Sequence, residues 1–391
     1  YLRAPYSPPT LAKKIHETSF DGRLRLDVWR RSRSPWFESD SNSSTNSDEM
    51  TAARHLEMDV RRTAQQILRR HLHSPKDEPD TPLNFWRIEG IDLRNAVLVE
   101  SDFSDCEMPR ADFTSTVFHG DANFSGALFL DSAEFDGAKF YGNAMFDGAS
   151  FGGRVKFNYT AFSADAAFRD VFFAGEACFD AVTIPRRAEF ARAQFQKDAT
   201  FSDATFAGLA DFEGATFNGE ASFYWAAFPQ GANFQRATFS EPASFTWATF
   251  ERDAKFYDAT FSGSAGFDWA TFKGTAWFGG VEFCDDARFN GVTITLAARF
   301  DGITARKGIA FTGATFNGDA WFNGAIFGDR LSLNGVTFCA AVGMANAKLL
   351  AGGKLEGLGD QAYHEALLTN LEYSRGFPSI HDSMRRINEE S

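Results

Sequence analysis

Residues 118–162 read FHGDANFSGALFLDSAEFDGAKFYGNAMFDGASFGGRVKFNYTAF. Phe returns at Phe118, Phe124, Phe129, Phe135, Phe140, Phe146, Phe151, Phe157 and Phe162, at spacings that alternate six and five. Two positions before most of these anchors sits a small residue: Ala122, Ala127, Ala133, Ala138, Ala144 and Ala149. The unit is therefore Ala-x-Phe-x-x-Ala-x-Phe-x-x-x, and it persists through Phe311, Phe316, Phe322, Phe327, Leu333 and Phe338. A short fixed period of this kind is the signature of a solenoid, which grows by adding coils rather than by enlarging one core. Each anchor that buries a Phe contributes roughly 1.5–3 kcal/mol, and only a small side chain fits beside it.

Upstream of Phe118 the anchors are Ile88, Leu93, Leu98, Phe103, Met108 and Phe113, with pure five-residue spacing. Before them, residues 50–72 carry Ala53, Leu56, Val60, Ala64, Ile67, Leu68 and Leu72 at helical spacing, closed by His73-Ser74-Pro75. This predicts an amphipathic helix with a solvated basic face of Arg61, Arg62, Arg69 and Arg70. A nucleic-acid contact through that face is the weaker reading. Residues 1–49 are an irregular basic segment, with alternating Leu24, Leu26 and Val28 that suit a short strand or hairpin, followed by a polar Ser-rich linker. Downstream, register weakens at Ala305, Gly343 and Met344 and the repeat fades after Leu355. Ala362, Tyr363, Ala366, Leu367 and Leu371 then suggest a second helix. The expected division is 1–49, a helical cap and loop over 50–87, a solenoid over 88–358 and a helical cap over 359–391. Open solenoid ends invite end-to-end association, and the two helical segments are placed to cap them.

Ala111-Asp112-Phe113 and Asp121-Ala122-Asn123-Phe124 match the five-residue consensus Ala-Asp/Asn-Leu/Phe-x-x, so the sequence resembles the pentapeptide-repeat family. The Phe-rich alternation looks like a bacterial branch of it, and the resemblance covers about two-thirds of the chain. It implies an all-β solenoid: a right-handed quadrilateral β-helix with anchor and small residue both inward. Four faces of five and six residues make a coil of about 22, and about 12 coils at about 4.8 Å each give a rod roughly 55–60 Å long. The inward anchors include Phe113, Phe124, Phe135, Phe146, Phe201, Phe212, Phe223, Phe245, Phe267 and Phe311. The additional residue of each six-residue segment is often accompanied by Gly (Gly142, Gly175, Gly219, Gly263, Gly318), where a positive φ is expected.

Residues 22 apart should stack, which exposes three columns. Trp225, Trp247 and Trp269, each in Phe-x-Trp-Ala, form a ladder with Tyr224 beside it, either a contact for a protein partner or a stack that protects a corner and strengthens coil-to-coil contact. Trp277, Arg299 and Trp321 suggest structural cation–π stacking. Glu176, Asp198 and Glu220 form an acidic column, either a solvated edge or a site for a cation or a basic partner. Other columns, such as Asp253, Thr275 and Ala297, break the acidic run.

Chemistry of catalysis is poorly supported. Of seven His residues only His119 lies in the repeat, and His71 with His73 lacks a third metal ligand. No catalytic residue, metal or cofactor is assigned. Cys106, Cys178, Cys284 and Cys339 form no framework, which fits a reducing compartment. The net charge of −13 disfavours direct nucleic-acid binding. No apolar run is long enough to span a membrane, and no signal peptide is evident. The expectation is a cytoplasmic, non-catalytic, rod-shaped interaction or scaffold protein with an unidentified protein partner. The chain opens on Tyr1 rather than Met, which leaves room for an upstream membrane tether. The alternative implied by the resemblance is a DNA-mimicking regulator of a type II topoisomerase, with DNA gyrase as partner.

Overall fold

The computed structural model of the chain describes residues 23–25, 47–73, 88–350, 354–356 and 371–373. The chain divides into two compact units, 1–184 and 185–391. Both are parallel β-solenoids.

In the first unit each turn of chain lays down four short strands, for example Ala133–Glu134, Lys139–Phe140, Ala144–Met145 and Ser150–Phe151. The next coil begins at Val155, which pairs with Ala133. Ile91 pairs with Ala111, as five-residue spacing requires, whereas Ala111 pairs with Ala133. The additional residues first enter between Val97–Asp102 and Val117–Asn123, where the pairing breaks between Val99 and Ser101. Glu100 there takes φ 47° and Gly120 φ 73°. A β-bulge thus absorbs the change of period that the sequence shows at Phe118.

The core is Phe on Phe. Phe146 stacks on Phe124 at 4.9 Å and 3° and on Phe168 at 4.8 Å and 1°, and meets Phe135 edge-on at 5.5 Å and 89°. Phe is suited to both contacts, because offset-stacked and edge-to-face arrangements are each favoured by the ring quadrupole. The second unit repeats the scheme, with Ala221 opposite Ala243 and Ala243 opposite Ala265. Phe201, Phe212, Phe223, Phe245, Phe267 and Phe311 are fully buried there, as are Phe113, Phe124 and Phe135 in the first unit. Ala305 and Ile294 take anchor positions without interrupting the stack.

Helix α1, Ser47–Leu72, belongs to the first unit. It seats Ala64, Leu68 and Leu72 against the solenoid and lies along the edge strand Val97–Asp102. The expected solvated basic face is found only in part: Arg70 is exposed, but the other three arginines turn to the solenoid. Arg61 is buried and donates to the Val97 carbonyl at 2.7 Å, Arg62 pairs with Glu100 at 2.7 Å, and Arg69 pairs with Asp102 at 3.0 Å. Val60 and Ile67 are exposed instead. An edge strand presents unpaired carbonyls and amides, so the helix turns its donors toward it rather than outward. Gln65 completes the cap: its amide donates to the Val99 carbonyl at 2.7 Å while its carbonyl accepts from the Val99 N–H at 3.1 Å. Gln65→Leu strips both partners from Val99 and is expected to cost about 2 kcal/mol, at about 1 kcal/mol per orphaned group. Accelerated hydrogen exchange at the Val99 amide checks it; unchanged protection would show that α1 is not the cap.

At the chain's other end, Lys354–Glu356 pairs with Arg330–Ser332, and Leu371–Tyr373 pairs in parallel with Ala347–Leu349. Leu371 therefore lies in a strand rather than in the helix that its spacing suggested; the rest of the proposed C-terminal helix lies outside the described residues. Arg23–Arg25 pairs in parallel with Gly90–Asp92, so the first alternating segment does supply a strand.

The corner glycines correct another expectation. Gly142, Gly175, Gly219, Gly263 and Gly318 are not among the positive-φ residues. They are small because the backbone of the preceding coil passes against them: a Cβ on Gly142 would overlap Gly120, and one on Gly263 would overlap Glu241. Positive φ falls instead at the second residue after alternate anchors, Phe-x-X-Ala, where the chain turns.

Candidate functional site

That turn position carries the Trp ladder. Trp225, Trp247 and Trp269 take φ 58°, 61° and 59°, a left-handed conformation that costs an L-residue roughly 1–2 kcal/mol and is rare for bulky side chains. At the same corner the next coils carry Gly291, Gly313 and Gly335, with φ 63°, 66° and 65°. The Trp backbones are firmly held, since Trp225, Trp247 and Trp269 donate to the carbonyls of Thr246, Asp268 and Asn290 at 3.1, 3.0 and 2.8 Å. The rings form a graded stack. Trp247 and Trp269 are nearly parallel, 5.5 Å apart at 12°, whereas Trp225 is splayed by 59° from Trp247 at 6.4 Å. Tyr224 lies 6.2 Å from Trp225 at 26°. Trp269 in turn lies over Gly291, where a Cβ would run into its six-membered ring. The four aromatic residues remain 43–56% exposed.

Strand columns border this corner. Ser222, Ser244 and Gly266 run along one side and Ala227, Thr249 and Thr271 along the other, in register from coil to coil. Asp268 is the charged residue among the corner positions, and Arg288 pairs with it at 3.0 Å.

The second aromatic column assembles as a cation sandwich. The Arg299 guanidinium lies 5.9 Å from the Trp277 ring and 5.3 Å from the Trp321 ring. Trp321 in turn lies over Gly343, and Tyr257 sits 5.3 Å from Trp277. Stacked on both faces, this guanidinium has the geometry of a coil-to-coil fastener worth about 0.5–2 kcal/mol per contact.

Of the acidic column, Asp198 and Glu220 stand on successive coils of the second unit. Asp198 Oδ1 accepts the backbone N–H of Glu220 at 3.0 Å. The same bond recurs between Asp253 and Thr275 at 3.0 Å, and in the first unit between Asp121 and Asn143 at 2.8 Å. A carboxylate at this position thus closes the turn above it, which is a structural reason for its presence. Glu176, in the first unit, pairs with Arg154 at 3.2 Å. The sequence reading missed this role because an Asp followed 22 residues later by any residue leaves no side-chain signature: the donor is backbone.

Titratable groups elsewhere pair with one another, accept from backbone or are buried. An open cleft of about 420 Å³ in the first unit is lined by Arg110, Asp112, Ser132, Glu134, Asp136 and Lys156. In it Lys156 pairs with Glu134 at 3.0 Å, and burial pushes the Asp136 carboxyl up although it accepts the Asn158 N–H at 2.9 Å. Burial likewise pushes the Cys106 thiol up to about 12, far from a reactive thiolate. His73 bridges to Cys106 through the backbone. Among the described residues no group of three or more His, Cys, Asp or Glu is placed to hold a metal, and no helix is long and apolar enough to cross a membrane.

The four-sided coil, the inward Phe and Ala, and the 22-residue register together define the architecture. A family model for pentapeptide repeats matches residues 87–128, 113–161, 201–246, 248–293 and 289–337, more than half of the chain. The chain belongs to the pentapeptide-repeat family. Comparison with curated proteins finds no match. Within the pentapeptide-repeat frame the anchors and small residues are accounted for by the fold. The Trp ladder is not required by it, because the same turn is filled in other coils by residues as different as Tyr159, Ala181, Asp203 and Gly291.

Proposed function

We propose that this pentapeptide-repeat chain is a non-catalytic interaction or scaffold protein, and that the corner bearing Tyr224, Trp225, Trp247 and Trp269 contacts a protein partner. The observation that carries the reading is Trp at the same turn of three successive coils, in contact with one another and left about half exposed. Stability alone does not select them. Two aromatic pairs contribute about 0.5–1.5 kcal/mol each, against roughly 1–2 kcal/mol of backbone cost at each of three turns. Trp and Tyr are the side chains that most often dominate protein interfaces, and residues in strained conformations concentrate at binding sites.

The topoisomerase-regulator reading is less well supported. A DNA mimic needs an unbroken negative surface, whereas cations from neighbouring coils neutralise many of these acids. Examples in the second unit are Lys273 with Glu251 at 2.8 Å, Lys307 with Asp285 at 2.9 Å, and Arg306 with Glu282.

The test is affinity capture from the source cell's lysate, comparing the wild type with a Trp225/Trp247/Trp269→Gly variant whose fold is checked by circular dichroism. Glycine suits the positive φ, so the variant is expected to fold with stability within about 1 kcal/mol of wild type. A protein captured by the wild type and lost by the variant supports the assignment. Equal capture by both would remove the ladder from the interface, and gyrase subunits among the captured proteins would favour the topoisomerase reading.

A further inference from the structure

We propose that α1 is a pH-released cap: a proton taken up by His119 beneath the helix loosens it from the edge strand Val97–Asp102.

Register places the imidazole. Val99 pairs with His119 in the bulged ladder, and His119 stacks in turn on Tyr141 at 5.1 Å and 10°. Val97 and Val99 are the residues that α1 grips, through Arg61 and Gln65. His119 thus stands one coil in from the strand that the helix covers. An open cleft of about 220 Å³ is lined by Met58 of α1 together with Val99, Glu100, His119 and Gly120, so helix and imidazole border one space.

Charge decides the direction. Burial first, and the charge of the buried Arg61 second, hold the His119 imidazole below its ordinary range. The other charged groups around it are already engaged. Glu100 pairs with Arg62 at 2.7 Å, and Asp121 of His119's own strand accepts the Asn143 N–H at 2.8 Å. An imidazolium formed here stands near a buried guanidinium, where like charges repel far more strongly than in water. The docked helix therefore favours neutral His119, whereas release lets it titrate as an ordinary imidazole, at about pH 6.5. Docking is at full strength above that pH and weakens as the pH falls below it, because the released state then binds the additional proton. Release bares the Val97 carbonyl and both backbone groups of Val99, a strand edge of the kind that pairs with other chains.

The experiment follows amide hydrogen exchange in the full chain from about pH 7.5 to about pH 5, each rate divided by its intrinsic value at that pH. Val99 reports the cap, since its N–H is bonded to Gln65, and Phe146 reports the solenoid, since its N–H is bonded to the Ala167 carbonyl at 2.7 Å. Expected for the wild type is a loss of Val99 protection of at least about fivefold with Phe146 unchanged, and for His119→Gln a loss below about twofold. His119→Gln retains His71, His73 and the pairs Arg62–Glu100 and Arg69–Asp102, so a response that persisted in it would belong to those groups and overturn the proposal. Equal loss at Phe146 would mean that the unit opens as a whole, which overturns it as well. Linkage gives a second reading that needs no substitution at His119. Gln65→Leu, which loosens the cap, should move the titration of the His119 carbon-bound ring protons up toward the ordinary range, because proton and helix affect one another equally. A titration unmoved by Gln65→Leu would show that the two are uncoupled and that His119 only packs.

Discussion

Phe234→Ala is expected to lower the stability of the second unit by about 3–5 kcal/mol, the range for truncating a fully buried Phe. Phe234 is completely buried and sits at the centre of a lattice of rings. Phe212 and Phe256 stack on its two faces at 4.8 and 5.0 Å, and Phe223 and Phe245 meet it edge-on, both at 5.2 Å. Truncation removes these four contacts, and those to Phe228 and Phe239 at 6.1 and 6.4 Å, at once, and neighbours held by coils above and below cannot collapse into the space. Phe338 is the matched control: it is partly exposed and, among the described residues, stacks on Phe316 alone, at 5.0 Å. Phe338→Ala should cost less than half as much. Denaturant unfolding of both variants decides the matter. Equal losses would mean that stability is pooled along the solenoid rather than summed from nearest-neighbour terms.

Gly274→Ala should be the second most damaging substitution of those considered, at roughly 3 kcal/mol, the upper range for overpacking. A methyl group there would lie 2.5 Å from both the Arg252 carbonyl oxygen and the Asp253 nitrogen, atoms of the coil below that cannot swing aside. Separating the coils to admit it would also lengthen the bond from the Thr275 N–H to Asp253 Oδ1, now 3.0 Å. Gly313→Ala supplies the contrast. Gly313 has φ 66° but open space where a Cβ would stand, so only the left-handed penalty applies, about 1 kcal/mol. Two glycines of one solenoid thus serve different ends, close approach at one corner and backbone handedness at another. If Gly313→Ala proved the costlier change, that division would be wrong.

The same division marks where sequence reading stopped. The six- and five-residue alternation places a Gly at a corner but does not say whether the backbone turns there or merely passes close to its neighbour. Both demands select Gly, and only the coil-to-coil distance separates them. The basic face of α1 is only partly legible for a related reason. Helical spacing identifies Arg61, Arg62, Arg69 and Arg70 as one face, yet which of them meet water and which meet an unpaired strand edge depends on what lies opposite. Here it is Val97–Asp102, whose carbonyls and acids attract the donors.

Of the candidate site, register alone brings Trp225, Trp247 and Trp269 to one corner, because a constant coil length makes every residue 22 places away a neighbour. Arg299 between Trp277 and Trp321 follows from the same arithmetic. The left-handed backbone beneath each Trp, the 59° splay of Trp225 from Trp247 and the lone-pair role of Asp198 do not. These depend on dihedral angles and ring tilts, which a periodic pattern leaves free. Periodicity by itself therefore determined the family, the coil and the column membership of each side chain, since burying one Phe per face admits a single register. The tertiary structure alone decided which corners turn left-handed, which glycines meet a neighbouring backbone and which acids are satisfied, because those follow from contacts between coils that no single repeat contains.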